Sequence, residues 1–157
     1  MDPAPETYIA IMQLYARYAR AIDSGDGEGW ANCYAKEGQY LSSTFGECNG
    51  RKELSVFAAD HFDRWIELGI QTRHWNNQVL LTQNEDGSVT GSVYVLLAGV
   101  KAGEDPQLHL QTVYTDRLIL EDGRWVLAQR RSDADQKPDP TQLGFTTWET
   151  GKGRKAS

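Results

Sequence analysis

Three histidines, His61, His74 and His109, are the side chains of this 157-residue chain that can take and return a proton near neutral pH. A histidine acting as a base also needs a partner, normally a carboxylate, to fix its tautomer. The three sit in different settings. His61 falls in the stripe Leu54, Phe57, Ala58, His61, Trp65 and Leu68, and reads as a packing histidine or as pocket lining. His74 lies in Thr72-Arg-His-Trp-Asn-Asn77, where strand alternation sends His74 and Asn76 to one face and Arg73, Trp75 and Asn77 to the other. His109 shares a face with Gln107, Gln111 and Arg117, opposite Leu108, Leu110, Leu118 and Leu120, and is expected to meet solvent or a subunit contact.

Other chemistries lack their signatures. The chain has no G-x-x-x-x-G-K-[ST], no H-E-x-x-H and no G-x-S-x-G. Its Gly25-Asp-Gly-Glu-Gly29 run follows a helix, so it does not fit a dinucleotide loop. As a calcium loop starting at Asp23, it would put Tyr34 where a bidentate Glu belongs. The scattered histidines and the two cysteines, Cys33 and Cys48, offer no metal-ligand spacing. The expectation is no metal, no cofactor, and either cofactor-free proton chemistry or plain binding.

A net charge of −6 argues against a general nucleic-acid binder, which needs a basic face. With 39% hydrophobic and 24% charged residues, the composition is that of a folded globular domain. No apolar run approaches the roughly 20 residues that cross a bilayer, and MDPAPETY lacks the pattern of a signal peptide. Free thiols at Cys33 and Cys48 suit a reducing cytoplasm, the expected location.

The elements that must position these residues follow from periodicity. Ile11, Leu14, Tyr15, Tyr18 and Ile22 cluster on one side of a helix that ends at Ser24-Gly25-Asp26-Gly27. A second, short helix is expected over about residues 28–35, then a strand over 39–45 and a turn over 46–50. A third helix runs over about 51–69. The period then changes to two, and four strands are expected over 72–83, 88–102, 107–121 and 124–132. Asp86-Gly87 and Asp122-Gly123 mark hairpins, so these strands pair antiparallel. Helices followed by a meander exclude a doubly wound fold. The expected fold is one α+β domain over 1–157, a curved antiparallel sheet packed on N-terminal helices around an apolar, cone-shaped pocket. Residues 134–157 are expected to be mostly coil, with a possible anchor at Phe145 and Trp148 and a solvated basic end at Lys152, Arg154 and Lys155.

Five signals in order carry a resemblance. They are Tyr15-Ala-Arg-Tyr18-Ala-Arg-Ala-Ile-Asp23, Asp26 with Trp30, Gly50-Arg-Lys-Glu-Leu54, Arg73-His74, and Asp122-Gly-Arg-Trp-Val126 ahead of Gln129-Arg130-Arg131. Over residues 6 to about 133 the chain resembles the SnoaL-like branch of the nuclear-transport-factor-2-like superfamily. Within it the pattern is similar to scytalone dehydratase, hexachlorocyclohexane dehydrochlorinase and bile-acid 7α-dehydratase. The resemblance implies a cone-shaped α+β barrel in which His74 removes a carbon-bound proton and Asp23 orients it. Tyr18 and Arg130 or Arg131 match further site residues. If Trp125, Leu127, Gln129 and Arg131 form the inner face, Arg131 is the one inside. No second histidine stands around residues 93–100, which departs from scytalone dehydratase.

The expected activity is a cofactor-independent lyase, a dehydratase or related elimination enzyme. It would act on a small hydrophobic substrate of aromatic, steroid-like or polyketide-like type. Tyr34, Tyr40, Phe57, His61, Trp65 and Trp75 would line the pocket. An isomerase or cyclase using the same residues is the alternative, as is a non-catalytic binding module or small subunit. The resemblance further implies a homodimer or homotrimer.

Overall fold

A computed structural model describes residues 1–135. The elements are α1 (Pro5–Ile22), α2 (Gly27–Ala31), β1 (Tyr34–Ser42), β2 (Gly46–Asn49), α3 (Gly50–Glu67), β3 (Ile70–Gln83), β4 (Val89–Lys101), β5 (Gln107–Glu121) and β6 (Arg124–Ala134). The six strands form one curved, unclosed sheet in the order β2-β1-β6-β5-β4-β3, with the helices packed against it. Every neighbouring pair is antiparallel except β1 with β6, which run parallel. The α+β fold with a curved sheet over N-terminal helices is as expected, but the sheet is mixed rather than wholly antiparallel, because β1 joins it parallel to β6.

Both long helices bury the face that their spacing predicts. Ile11, Leu14, Tyr15, Tyr18 and Ile22 of α1 are in the core, as are Leu54, Phe57, Ala58, His61 and Trp65 of α3. Leu68 is exposed, because it is the C-cap beyond the last turn of α3. From the sheet, Val89, Val93, Val95 and Leu97 of β4 meet these faces, with Tyr114 and Leu118 of β5. Cys33 and Cys48 are buried free thiols.

Several boundaries differ from the sequence reading. Helix α2 stops at Ala31, and Tyr34 and Ala35 already belong to β1. Pairing with β6 explains this, since Leu127 N–H donates to Cys33 O and draws the chain into the sheet there. Residues 46–49, expected as a turn, form β2, a short hairpin partner of β1. Strand β6 continues to Ala134. Residues 136–157, with Phe145, Trp148, Lys152, Arg154 and Lys155, lie outside the described residues.

Three β-bulges set the face on which each long strand presents its side chains. In β3 the register jumps between Asn77 and Leu80, with Gln78 at φ 49°. In β5 His109 is the extra residue, and in β6 Ala128 is. An extra residue reverses the alternation beyond it. Among the described residues, no helix is long and apolar enough to cross a membrane.

Candidate functional site

The site begins where α1 ends. Asp23 is the C-cap of α1, in helical geometry, and its N–H donates to Ala19 O. A carboxylate is disfavoured there, because the helix C-terminus carries partial negative charge. Two donors from β3 hold it in place. His74 backbone N–H donates to Asp23 Oδ2 at 2.9 Å, and His74 Nδ1–H donates to Oδ1 at 2.6 Å. Gln71 Nε2 also donates to the Asp23 carbonyl at 3.2 Å. Since β3 is an edge strand, its outward backbone N–H groups have no strand to pair with, and Asp23 takes one of them.

This geometry fixes the chemistry of the ring. An ionised carboxylate only accepts, so the proton lies on Nδ1 and the lone pair of the neutral imidazole is on Nε2. The two side chains are only 7% and 9% exposed, which strengthens their interaction relative to a surface pair. A dry, oriented imidazole with a carboxylate behind it is the arrangement of a general base.

A chain of aromatic contacts runs through the buried core up to His74. Ring centroids step from Tyr18 to Trp30 at 5.1 Å, Trp30 to Tyr40 at 5.7 Å, Tyr40 to Phe57 at 5.3 Å, Phe57 to His61 at 5.9 Å and His61 to His74 at 5.7 Å. Tyr34 joins through Trp30 at 5.0 Å. The indole N–H of Trp65 donates to His61 Nε2 at 3.1 Å, so neutral His61 carries its proton on Nδ1. Burial, and then the neighbouring His74, lower the His61 pKa to about 3. His61 is therefore a neutral buried residue, which leaves His74, bound to the Asp23 carboxylate, as the candidate base. A groove of about 920 Å³ opens beside the pair, with Asp23, His74, Asn76, Met12, Tyr15 and Phe62 among its walls.

Of the residues named from sequence, Asp23, His74 and Trp75 line the groove, although Trp75 is 57% exposed. Tyr18, Tyr34, Tyr40, Phe57, His61 and Trp65 are buried in the core instead and are not among the walls of that groove. Arg131 points outward, where it pairs with Asp133 at 3.7 Å. The bulge at Ala128 is the reason: Leu127 faces in, and beyond the extra residue the inward positions become Arg130 and Ser132. His109, expected at the surface, instead packs against Trp65 with tilted rings 4.8 Å apart, turned in by its own bulge, while Leu108 is exposed.

Arg130 is the centre of a buried polar knot. It is 0% exposed and makes a bidentate pair with Asp116, Nε to Oδ1 at 2.8 Å and Nη2 to Oδ2 at 2.6 Å. Tyr15 Oη–H also donates to Asp116 Oδ2 at 2.7 Å. The guanidinium lies 4.2 Å from the Tyr18 ring centroid and 4.1 Å from that of Tyr114. Burial alone would lower the Arg130 pKa, but Asp116 reverses this and holds the guanidinium charged. Burial raises the pKa of Tyr18, Tyr34 and Tyr114, so all three are neutral phenols. Tyr15, Tyr114 and Asp116 were missed from sequence. The signal was present: Thr112, Tyr114, Asp116 and Leu118 alternate inward, and a carboxylate in that row demands a buried cation. Among the described residues, no group of three or more His, Cys, Asp or Glu side chains is placed to hold a metal.

Comparison with known proteins agrees with this architecture. Residues 4–131 match the SnoaL-like domain family. ActVI-ORFA from Streptomyces coelicolor superposes with a TM-score of 0.77 at 25% identity, covering 84% of this chain and 97% of that one. An Asp-to-Asn variant of Rv3472 from Mycobacterium tuberculosis, a protein of unknown function, gives 0.72 at 29% identity, with 83% and 77% covered. Aln2 from a Streptomyces species shares the fold, with a TM-score of 0.79 at 23% identity over 86% and 95%. No protein with a curated function matches by sequence. The chain belongs to the SnoaL-like family of the nuclear-transport-factor-2-like superfamily, which includes polyketide cyclases and dehydratases.

Proposed function

We propose that this chain is a cofactor-independent lyase that removes a carbon-bound proton from a small, mostly apolar cyclic substrate and expels a leaving group from the neighbouring carbon. The observation that supports it most is the 2.6 Å contact between His74 Nδ1 and Asp23 Oδ1. It frees Nε2 as the base and stabilises the imidazolium that forms. The C–H electron pair becomes the new C=C bond, the C–O pair leaves with the hydroxyl, and that oxygen takes the proton from the His74 imidazolium and departs as water. Tyr18 and Arg130 supply a neutral donor and a fixed positive charge for the developing negative charge. In this role Arg130 replaces Arg131. The groove beside the pair, with Met12, Phe62 and Trp75 among its walls, suits a flat apolar substrate. A neighbour from Catenulispora acidiphila, 22% identical, is a complex with the small molecule S-DNPA.

The test is turnover by the purified chain of cyclic β-hydroxyketones, followed by NMR. Loss of water is expected, falling about 10²–10⁴-fold in His74→Ala. A rate unchanged in that variant would refute the reading, and isomerised or cyclised products without water loss would move the same residues to the alternative chemistry.

We also propose that the outer sheet face forms a homodimer or homotrimer. It exposes Trp75 beside its cross-strand partner Leu96, with Tyr94, Leu80 and Leu108 nearby.

A further inference from the structure

Asn76 stands two residues beyond His74 on the same face of β3, so their Cα atoms are roughly 6.6 Å apart. It lines the same groove as Asp23 and His74. Both polar atoms of its side chain, Oδ1 and Nδ2, are buried, and among the described residues neither has a hydrogen-bond partner. Its cross-strand neighbour is the buried Val95, and it shares the groove with the apolar Met12 and Val79 as well as with Arg20 and Arg73. The other amide on this stretch that faces the site, Gln71, is used up by the carbonyls of Asp23 and Thr72.

An amide in such a wall with neither half satisfied costs free energy that a leucine of similar size would not. Its placement is also held locally. The bulge that begins at Gln78, with its positive φ, bends β3 immediately after Asn76 and Asn77. Bulges beside sites re-aim side chains in this way.

We propose that Asn76 is a further substrate-contacting residue, whose amide N–H holds the oxygen attached next to the carbon that His74 deprotonates. This rests on the proton-abstraction reading above and narrows the substrate class to compounds whose acidic carbon is α to a carbonyl. His74 Nε2 takes the proton, the C–H electron pair forms a C=C bond to the carbonyl carbon while the carbonyl π pair moves onto oxygen to give an enolate, and Asn76 Nδ2–H donates to that oxygen. The carbonyl oxygen lies two bonds from the α-carbon, so one substrate reaches both side chains along β3. Asn76 Oδ1 remains to accept from a hydroxyl on the same substrate.

The probes are 2-tetralone, a cyclic ketone with exchangeable C1 protons, and 2-naphthol, which has the flat shape of its enol. Wild-type chain is expected to catalyse deuterium exchange of 2-tetralone in D2O and to bind 2-naphthol. Asn76→Leu is expected to lower the exchange kcat about 10²-fold, as loss of an oxyanion donor does, and to weaken 2-naphthol at least about tenfold. Its thermal stability should be equal or higher. His74→Ala is expected to abolish exchange yet keep 2-naphthol binding. If Asn76→Leu exchanges and binds like wild type while His74→Ala is dead, Asn76 is a wall residue only and this inference is wrong, with the base intact. If His74→Ala exchanges at the wild-type rate, the proton-abstraction reading itself fails. If the wild type neither exchanges 2-tetralone nor binds 2-naphthol, the carbonyl assignment is overturned.

Discussion

At the scale of single residues, the neighbouring histidines His61 and His74 differ because their partners differ. His74 faces a carboxylate, whereas His61 accepts from an indole and is buried beside His74. The consequence for stability has a definite sign. His61 has a folded pKa of about 3, below its ordinary value near 6.5, so the unfolded state binds more protons between these two limits. Its contribution is therefore fully present above about pH 6.5 and is lost as pH falls toward 3, by at most about 1.4 kcal/mol per pH unit. Urea titrations at several pH values should show a shallower acid loss for His61→Gln, which keeps an acceptor for Trp65. An unchanged slope would mean that His61 protonates freely in the fold. The pairing of His74 with Asp23 was legible from the resemblance alone. Helical phase left Asp23 at the edge of the stripe, and no local pattern shows that an edge strand will meet that carboxylate.

At the scale of elements, α1, β5 and β6 are joined by one carboxylate. Asp116 of β5 accepts from Arg130 of β6 and Tyr15 of α1. Such a pair contributes little over an apolar substitute, but removing one partner strands a buried charge. Asp116→Asn is expected to cost about 3–5 kcal/mol in denaturant unfolding. Asp116→Leu combined with Arg130→Met should be more stable than Asp116→Asn while losing turnover. If the double variant is the less stable of the two, the knot is a stabilising unit in its own right. The same strands show where sequence reading stops. Helix faces and the antiparallel meander of β3 to β6 followed from apolar spacing and Asp-Gly turns, because those signals are local, whereas the pairing of β1 with β6 did not. The inward side of β6 did not follow, since Ala128 looks like any strand residue, yet its bulge exchanges Arg131 for Arg130. His109 was misplaced for the same reason. Pairing decides where an extra residue is accommodated, and pairing is not written in alternation.

At the scale of the whole molecule, the sheet has two unlike faces. The concave face is closed by α1 and α3, while the convex face leaves Trp75, Leu80, Tyr94, Leu96 and Leu108 in solvent. A second copy on that face would bury them and leave the groove between α1 and β3 at the edge of the assembly. Light scattering on the purified chain should give two or three copies. Tyr94→Glu together with Leu96→Glu should give a monomer that still unfolds cooperatively. A wild-type monomer at tens of micromolar would contradict the proposed assembly without touching the site.

The account turns on Asp23 and His74 acting as one unit, and a double-variant cycle on kcat measures that coupling directly. Asp23→Asn keeps the size of the side chain but removes the charge, and it can hold the wrong tautomer, a change worth about 10⁴-fold in a serine-protease triad. The expected result is a large fall in kcat with little change in KM for Asp23→Asn and for His74→Ala. The double variant should be scarcely worse than His74→Ala alone, as for residues that act together. Independent effects that multiply in the double variant, or an Asp23→Asn enzyme with wild-type kcat, would contradict it.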